Sequence, residues 1–132
     1  MNIILGVGCD RNTSQQTLEH AIDLALKQAS LTRDTVQALA TIDKKNDEVA
    51  LLALSAEHHW PLYFYSAEQL TEVEVPNPSE IVRKYMGTPA VAEAAAILAA
   101  KTNMKDLIVE KFKYLGEDKK NATVSIVRSH NE

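Results

Sequence analysis

The first hydrophobic positions of the chain form a nearly continuous apolar run, Ile3-Ile4-Leu5-Gly6-Val7. Such a run predicts a strand covered on both faces. Apolar residues then recur at helical spacing, which predicts an amphipathic helix; they are Leu18, Ile22, Ala25, Leu26 and Ala29. A second apolar run over residues 36–42 predicts another buried strand. The chain therefore begins with a strand, a helix and a second strand.

The next segment repeats this alternation. Asn46 or Asp47 is expected to cap a helix, with an apolar face formed by Val49, Leu52, Ala53 and Ala56. Trp60-Pro61 ends that helix, because proline cannot continue it, and residues 62–65 predict a short third strand. Strands that alternate with helices at this spacing predict an α/β fold with parallel pairing.

The second half of the chain changes character. Two prolines hold residues 73–79 in an extended loop, after which Ser79 is expected to cap a short helix that Gly87 ends. Pro89 is expected at the first position of a further helix, made of small apolar residues and reaching Ala100. Residues 107–113 and 122–128 predict a C-terminal antiparallel hairpin, and residues 129–132 a frayed tail.

Composition narrows the class of protein. The 132 residues, 45% of them hydrophobic, are enough for one domain with a substantial core, over residues 1–132. No apolar run approaches the roughly 20 residues that span a bilayer, and no signal peptide is visible. A single cysteine fits a reducing compartment, so we expect a cytoplasmic protein with no membrane association. The net charge of −4 argues against a nucleic-acid partner.

The stretch after the first strand has the features of an anion-binding wall. Gly6 and Gly8 carry no Cβ and leave room for a ligand. Thr13 or Ser14 can cap the following helix, whose free N–H groups favour an anion together with Arg11. The alternative is an ordinary strand-to-helix turn without a ligand.

Other polar residues are expected at the same edge of the sheet, since ligands of open α/β sheets bind outside the carboxyl ends of the strands. Residues 41–45 follow the second strand, while the 76–79 loop and Gly87-Thr88 can face the same cleft, with added charge from Lys111 and Lys113. These basic groups suit a ligand with several carboxylates or phosphates. The candidate binding residues are Gly6, Gly8, Cys9, Arg11, Thr13, Ser14, Thr41, Lys45, Asn77, Ser79, Gly87, Thr88 and Lys111.

Candidate reactive groups are few. Asp43 and Glu48 are the candidate catalytic carboxylates for proton transfer, although Asp43 equally suits a loop cap and Glu48 the first turn of a helix. Cys9 has no local partner base and fits a small buried residue. Adjacent His58 and His59 diverge on a helix, so we expect no metal site.

Taken together, several motifs resemble the CobE / CbiG C-terminal domain family of cobalamin biosynthesis. The motifs are Gly6-x-Gly8-Cys9-x-Arg11-x-Thr13-Ser14, Ala40-Thr41-Ile42-Asp43-x-Lys45-x-Asp47-Glu48, Val75-Pro76-Asn77-Pro78-Ser79, Gly87-Thr88-Pro89-x-Val91-Ala92-Glu93-Ala94, Val109-x-Lys111-x-Lys113 and Ala122-Thr123-Val124. They follow the family's order over nearly the whole chain. Asp10 and Asn12 depart from it, since the family often has Arg and Gly there.

The resemblance implies a three-layer α/β/α domain with a mixed, mainly parallel sheet of about five strands. It also implies a ligand, a precorrin or cobalt-precorrin, and no cofactor. Larger CbiG proteins are associated with cobalt-precorrin-5A hydrolase activity, in which water opens a ring lactone and acetaldehyde leaves. In those proteins further domains precede this one, so the expected partners include other corrin-pathway enzymes and a separate CbiG N-terminal part. Homo-oligomerisation stays open.

Three functional hypotheses follow. The first is a protein that binds a precorrin and assists lactone opening, with Asp43 or Glu48 activating water. The second is a non-catalytic carrier or assembly module that passes tetrapyrroles between enzymes. The third, independent of the resemblance, is a cleft that binds a small phosphorylated metabolite.

Overall fold

The computed structural model describes residues 1–130. Its strands are β1 (Asn2–Cys9), β2 (Val36–Ile42), β3 (Leu62–Tyr65), β4 (Leu107–Leu115) and β5 (Asn121–Ser129). Its helices are α1 (Gln15–Gln28), α2 (Val49–His58), α3 (Ala67–Thr71), α4 (Glu80–Met86) and α5 (Ala92–Ala100). Short 3₁₀ turns lie at Arg33–Thr35, Asp43–Lys45 and Met104–Asp106.

The five strands form one mixed sheet in the order β3-β2-β1-β5-β4. Strands β1, β2 and β3 are parallel, whereas β5 runs antiparallel to both of its neighbours, β1 and β4. The hairpin β4–β5 therefore joins the edge of a parallel unit, with Gly8 of β1 opposite Thr123 of β5. The α/β fold class, the mixed sheet and the antiparallel C-terminal hairpin are confirmed.

Alternation along β1 divides the interior into two hydrophobic cores, one on each face of the sheet. Ile3, Leu5 and Val7 belong to the core that includes residues of α1 and α2. Ile4 belongs to the other core, which includes residues of α3 and α5. Because successive side chains of a strand point to opposite faces, a strand buried on both faces reads as an unbroken apolar run.

Helix α5 lies close to β1 at Gly6. A Cβ built on Gly6 would be 1.8 Å from the carbonyl oxygen of Ala92, so only glycine fits this position. The alanines of α5 complete this close packing, since Ala94, Ala95 and Ala96 are fully buried. The space that the sequence suggested for a ligand at Gly6 is therefore filled by a helix.

Two local expectations were wrong. Helix α2 buries Ala50, Leu51 and Leu54 instead of the predicted face, and Val49 is 77% exposed. Its N-cap is Glu48, with no side-chain cap from Asn46 or Asp47. Apolar residues lie on all sides of α2, so the spacing of apolar residues alone does not identify the buried face.

Helix α5 also begins later than expected, at Ala92 instead of Pro89. The carbonyl oxygen of Pro89 accepts a hydrogen bond from the amide of Ser79, which is the N-cap of α4. This bond joins the residues on the two sides of α4, and Pro89 lies outside α5. Ser79 and Gly87 do cap α4, as the sequence predicted, with Gly87 at a φ of 79°.

Ser129 ends β5 within the sheet, and residues 131 and 132 of the expected frayed tail lie outside the described residues. Within residues 1–130, none of the helices has the length and apolar character needed to cross a bilayer.

Candidate functional site

A cleft of about 330 Å³ opens at the carboxyl ends of β1 and β2. Gly8 and Cys9 of β1 line it together with Thr123 of β5, and α4 and the start of α5 form further walls. The positively charged lining residues are Lys45, Lys111 and Lys113, and the negatively charged ones are Asp10 and Glu93. The lining thus has an excess of positive charge in a chain whose net charge is −4.

Lys45 is the most unusual of these charged groups. It ends the 3₁₀ turn after β2 and is only 7% exposed. Among residues 1–130, no carboxylate or carbonyl oxygen forms an ion pair or a hydrogen bond with its ammonium. Because Lys45 lines the cleft, this ammonium can pair with an anion that enters there.

A second charged group in the cleft is the ion pair between Lys111 of β4 and Glu93 of α5. Glu93 lies in the first turn of α5 and is 2% exposed, and its Oε2 is 3.3 Å from the Lys111 ammonium. That ammonium donates a hydrogen bond of 2.9 Å to the carbonyl oxygen of Asn77. The Asn77 side chain in turn donates to Glu110, so the loop before α4 is fixed to β4.

Cys9 lies in the cleft wall as a neutral thiol. Burial raises the pKa of the Cys9 thiol, and the positive charge of nearby Lys45 offsets this effect only in part. A thiol with a raised pKa stays protonated at neutral pH and is a poor nucleophile. Cys9 therefore contributes shape to the cleft and not a thiolate.

Arg11 does not line the cleft. Its guanidinium donates hydrogen bonds to Asp47 and to the carbonyl oxygen of Lys44, at 2.7 and 2.9 Å. It also lies 2.9 Å from the buried Glu48 Oε2, a contact that has ion-pair distance but lacks hydrogen-bond geometry. Arg11 hence connects the segments that follow β1 and β2. The hydrogen bond from Arg11 to Asp47, together with the charge of Asp47, raises the pKa of Arg11.

The two candidate catalytic carboxylates also lie outside the cleft lining. Glu48 accepts a hydrogen bond from the Asn12 amide at 2.7 Å and is held by Arg11. Asp43 is exposed in the turn after β2. Neither side chain is among the residues that line the cleft.

The remaining candidates divide between the cleft and the scaffold. Gly8, Cys9, Lys45, Ser79 and Lys111 line the cleft. Thr41 is buried and donates to the Val7 carbonyl, Thr13 donates to the Asp10 carbonyl, and Ser14 caps α1. Thr88 is fully buried, and its hydroxyl has no hydrogen-bond partner among residues 1–130.

Two groups of cleft residues were not among the predicted site residues. One is Glu93, whose position in a first helical turn is typical of an ordinary dipole-stabilising acid. The other is the apolar wall of α4, where Ile81 and Tyr85 are 73% and 71% exposed. The signal for this wall was available in the sequence, because Ile81 and Tyr85 lie four residues apart and therefore on the same side of a short helix.

Away from the cleft, Glu19, Glu57 and His58 bring possible metal-ligand atoms within 4.8 Å of one another. Arg33 lies 2.8 Å from Glu19 Oε1, and the His58 ring stacks on Trp60 at 4.5 Å. The guanidinium already balances this charge, so the group is an ion-pair network against an aromatic ring.

Fold and cleft define a class: a three-layer α/β domain with a lysine-lined cleft at the strand ends. The family described as "Cobalamin synthesis G C-terminus" matches residues 3–127, and the chain belongs to this family.

The relatives agree with this assignment. Over 109 residues the chain is 33% identical to the cobalt-precorrin-5A hydrolase of Priestia megaterium, covering 83% of this chain and 29% of that protein. It is 36% identical over 101 residues to Protein CobE of Sinorhizobium sp, covering 74% and 65%. The chain thus spans less than two thirds of the length of either relative.

One solved structure is CobE, a protein from the cobalamin (vitamin B12) biosynthetic pathway. It matches with a TM-score of 0.78 and 26% identity over 98% of this chain and 93% of that one. The cobalamin biosynthesis protein chiG from Agrobacterium tumefaciens str. C58 shares the fold, with a TM-score of 0.67 and 22% identity over 98% and 99% of the two chains.

Proposed function

We propose that this chain binds a precorrin or cobalt-precorrin intermediate of cobalamin biosynthesis and holds a peripheral carboxylate of that ligand in the cleft. The single observation that carries the proposal is Lys45, whose side chain lines the cleft and is largely buried and whose ammonium forms no hydrogen bond or ion pair within residues 1–130. A ligand carboxylate would supply the missing partner through a charge-assisted hydrogen bond.

The size of the cleft limits how the ligand enters. A cleft of about 330 Å³ is at the small end of the range for ligand sites, so it accepts one edge of a macrocycle. The exposed side chains of Ile81 and Tyr85 on α4 offer apolar contact for the ring that stays outside. Gly8 leaves the floor open, because a Cβ there would meet no atom within 3.9 Å.

We propose further that the bound intermediate is the substrate of lactone opening of the cobalt-precorrin-5A hydrolase type. The support is the similarity of this chain to proteins named cobalt-precorrin-5A hydrolase, although the chain matches only a part of each of them. The reaction would therefore take place with this chain alone or together with a separate CbiG N-terminal part.

A second candidate function is a non-catalytic tetrapyrrole carrier. The observation in its favour is that Asp43 and Glu48 do not line the cleft. The two functions differ in outcome, since a carrier binds the intermediate and leaves its lactone closed.

Titration of the purified protein with the lactone-containing intermediate tests binding. We expect a saturable shift of the visible absorption band that carboxylate-rich corrins compete with and that inorganic phosphate does not. Displacement by phosphate alone at similar concentration would instead support a phosphorylated metabolite as the ligand. An absence of any band shift would contradict the proposed function.

A further inference from the structure

Glu93 is a buried carboxylate with an unused acceptor. Its Oε2 accepts no hydrogen bond from residues 1–130, although the Lys111 ammonium lies 3.3 Å away. A buried polar atom that lacks a partner costs free energy and calls for an explanation, of which a catalytic role and a bound water are two. Because Glu93 lines the cleft, the missing donor can come from a water or a ligand there.

The surroundings of Glu93 hold this carboxylate in place. Lys111 contacts Glu93 from β4 and is itself anchored to the Asn77 carbonyl at 2.9 Å. The Lys111 ammonium supplies the opposite charge that a carboxylate only 2% exposed requires. A carboxylate held at a fixed position in the cleft, with one free acceptor atom, has the geometry that a general base requires.

Other carboxylates of the site are less suited to this role. Asp10 also lines the cleft, but its Oδ2 accepts hydrogen bonds from the amide and the side chain of Asn121. Glu48 and Asp43 lie outside the lining.

We propose that Glu93 is the general base for ester hydrolysis in this cleft, an inference that rests on the proposed function. A water donates to Glu93 Oε2 and loses a proton to it while the water oxygen forms a bond to the ester carbonyl carbon. The carbon–alkoxide bond then breaks, and the proton passes from Glu93 to the alkoxide oxygen. One water is consumed, an acid and an alcohol form, and Glu93 returns to the carboxylate.

The test uses the Glu93→Gln variant, which keeps the shape of the side chain and removes its basicity. The lactone-containing intermediate is incubated with this chain, alone and with a CbiG N-terminal part, in heavy-oxygen water. Ring opening is followed by heavy-oxygen label in the new carboxyl group. Glu117→Gln is the matched control, because Glu117 is exposed in the turn between β4 and β5.

Glu93→Gln should lower the rate of ring opening about 100- to 10,000-fold, the usual contribution of a general base, whereas the dissociation constant should change less than about threefold, well under 1 kcal/mol. Glu117→Gln should behave as the wild type. If Glu93→Gln destabilises the fold, Glu93→Asp, which keeps the base but retracts it, should retain partial turnover.

Three results would overturn the inference. The first is full turnover by Glu93→Gln, and the second is an equal loss of turnover and of binding in that variant. The third is wild-type protein that binds the intermediate but opens no ring, alone or with the CbiG N-terminal part. The last result would leave the proposed binding function intact. Failure of the wild type to bind would contradict the binding function itself, and the two failures are thus distinguishable.

Discussion

Replacing Gly6 by alanine tests the packing that shapes the cleft. The new Cβ would lie 1.8 Å from the carbonyl oxygen of Ala92, 2.7 Å from its carbonyl carbon and 3.0 Å from the Cβ of Ala96. The two shortest contacts are to helix backbone, which cannot rotate away as a side chain would. Relief requires α5 to move off β1, and with it the first turn that carries Glu93.

Overpacking of a core costs about 1–3 kcal/mol, and a backbone clash belongs at the upper end, about 3 kcal/mol. For a chain of this size each kcal/mol lowers the unfolding midpoint by about 3–5 °C, so we expect a decrease of roughly 10–15 °C. Thermal unfolding followed by circular dichroism, with urea unfolding for the free energy, measures both quantities.

Gly8→Ala is the matched control in the same strand. The nearest atoms to its Cβ would be Val91 Cγ1 at 3.9 Å and Thr123 Cβ at 4.0 Å, which are ordinary contacts. Its free energy of unfolding should stay within about 0.5 kcal/mol of the wild type. Equal stability of the Gly6→Ala and Gly8→Ala proteins would refute the close approach of α5 to β1.

Three further predictions concern charged groups. The hydrogen bond from the Ser14 amide lowers the pKa of Asp118 to about 2. The resulting stabilisation of the fold is complete above the unfolded-state pKa near 3.8 and is lost as the pH falls through about 2. The unfolding midpoint of Asp118→Asn should therefore fall less on acidification than that of the wild type. Arg11→Ala should lower the unfolding midpoint, because buried Glu48 loses its ion-pair partner, and should weaken corrinoid binding less than Lys45→Met does; an equal loss of affinity would place Arg11 at the ligand. Lys45→Met should be about as stable as the wild type in urea, because Met keeps the packing of a side chain that is 7% exposed and the ammonium forms no hydrogen bond or ion pair within residues 1–130. A clear loss of stability would mean that Lys45 has a structural partner.

The strands could be predicted because their signals are local. The apolar run of β1 and the polar turn between β4 and β5 each determine structure within about ten residues. Helix α2 could not be assigned a buried face in this way, since its sequence, VALLALSAEH, is apolar at most positions. Its orientation depends instead on Glu48, which Arg11 and Asn12 hold at the end of β1.

The position of the cleft could also be predicted, from the rule that ligands bind at the carboxyl ends of parallel strands. Lys45 and Lys111 line the cleft as expected. Arg11 was assigned to it from its charge and its place after β1, and its carboxylate partner Asp47, which is remote in sequence, could not be foreseen. Glu93 was missed because its burial depends on α5 packing over the sheet and on Lys111 from β4.

The central claim is that Lys45 receives a ligand carboxylate, and a comparison of two ligands and two proteins tests it most directly. The dissociation constants of cobyrinic acid, a corrin with free carboxylates, and of its amidated counterpart are measured by visible titration for the wild type and for Lys45→Met. Lys27→Met, on the exposed side of α1, is the control.

A hydrogen bond to a charged group contributes about 1.5–3 kcal/mol, which corresponds to a factor of roughly 10–150 in affinity. Lys45→Met should therefore weaken binding of the carboxylate ligand by this factor and change binding of the amidated ligand little. Lys27→Met should bind both ligands as the wild type does. Unchanged affinity of Lys45→Met for cobyrinic acid, or equal losses for both ligands, would contradict the claim.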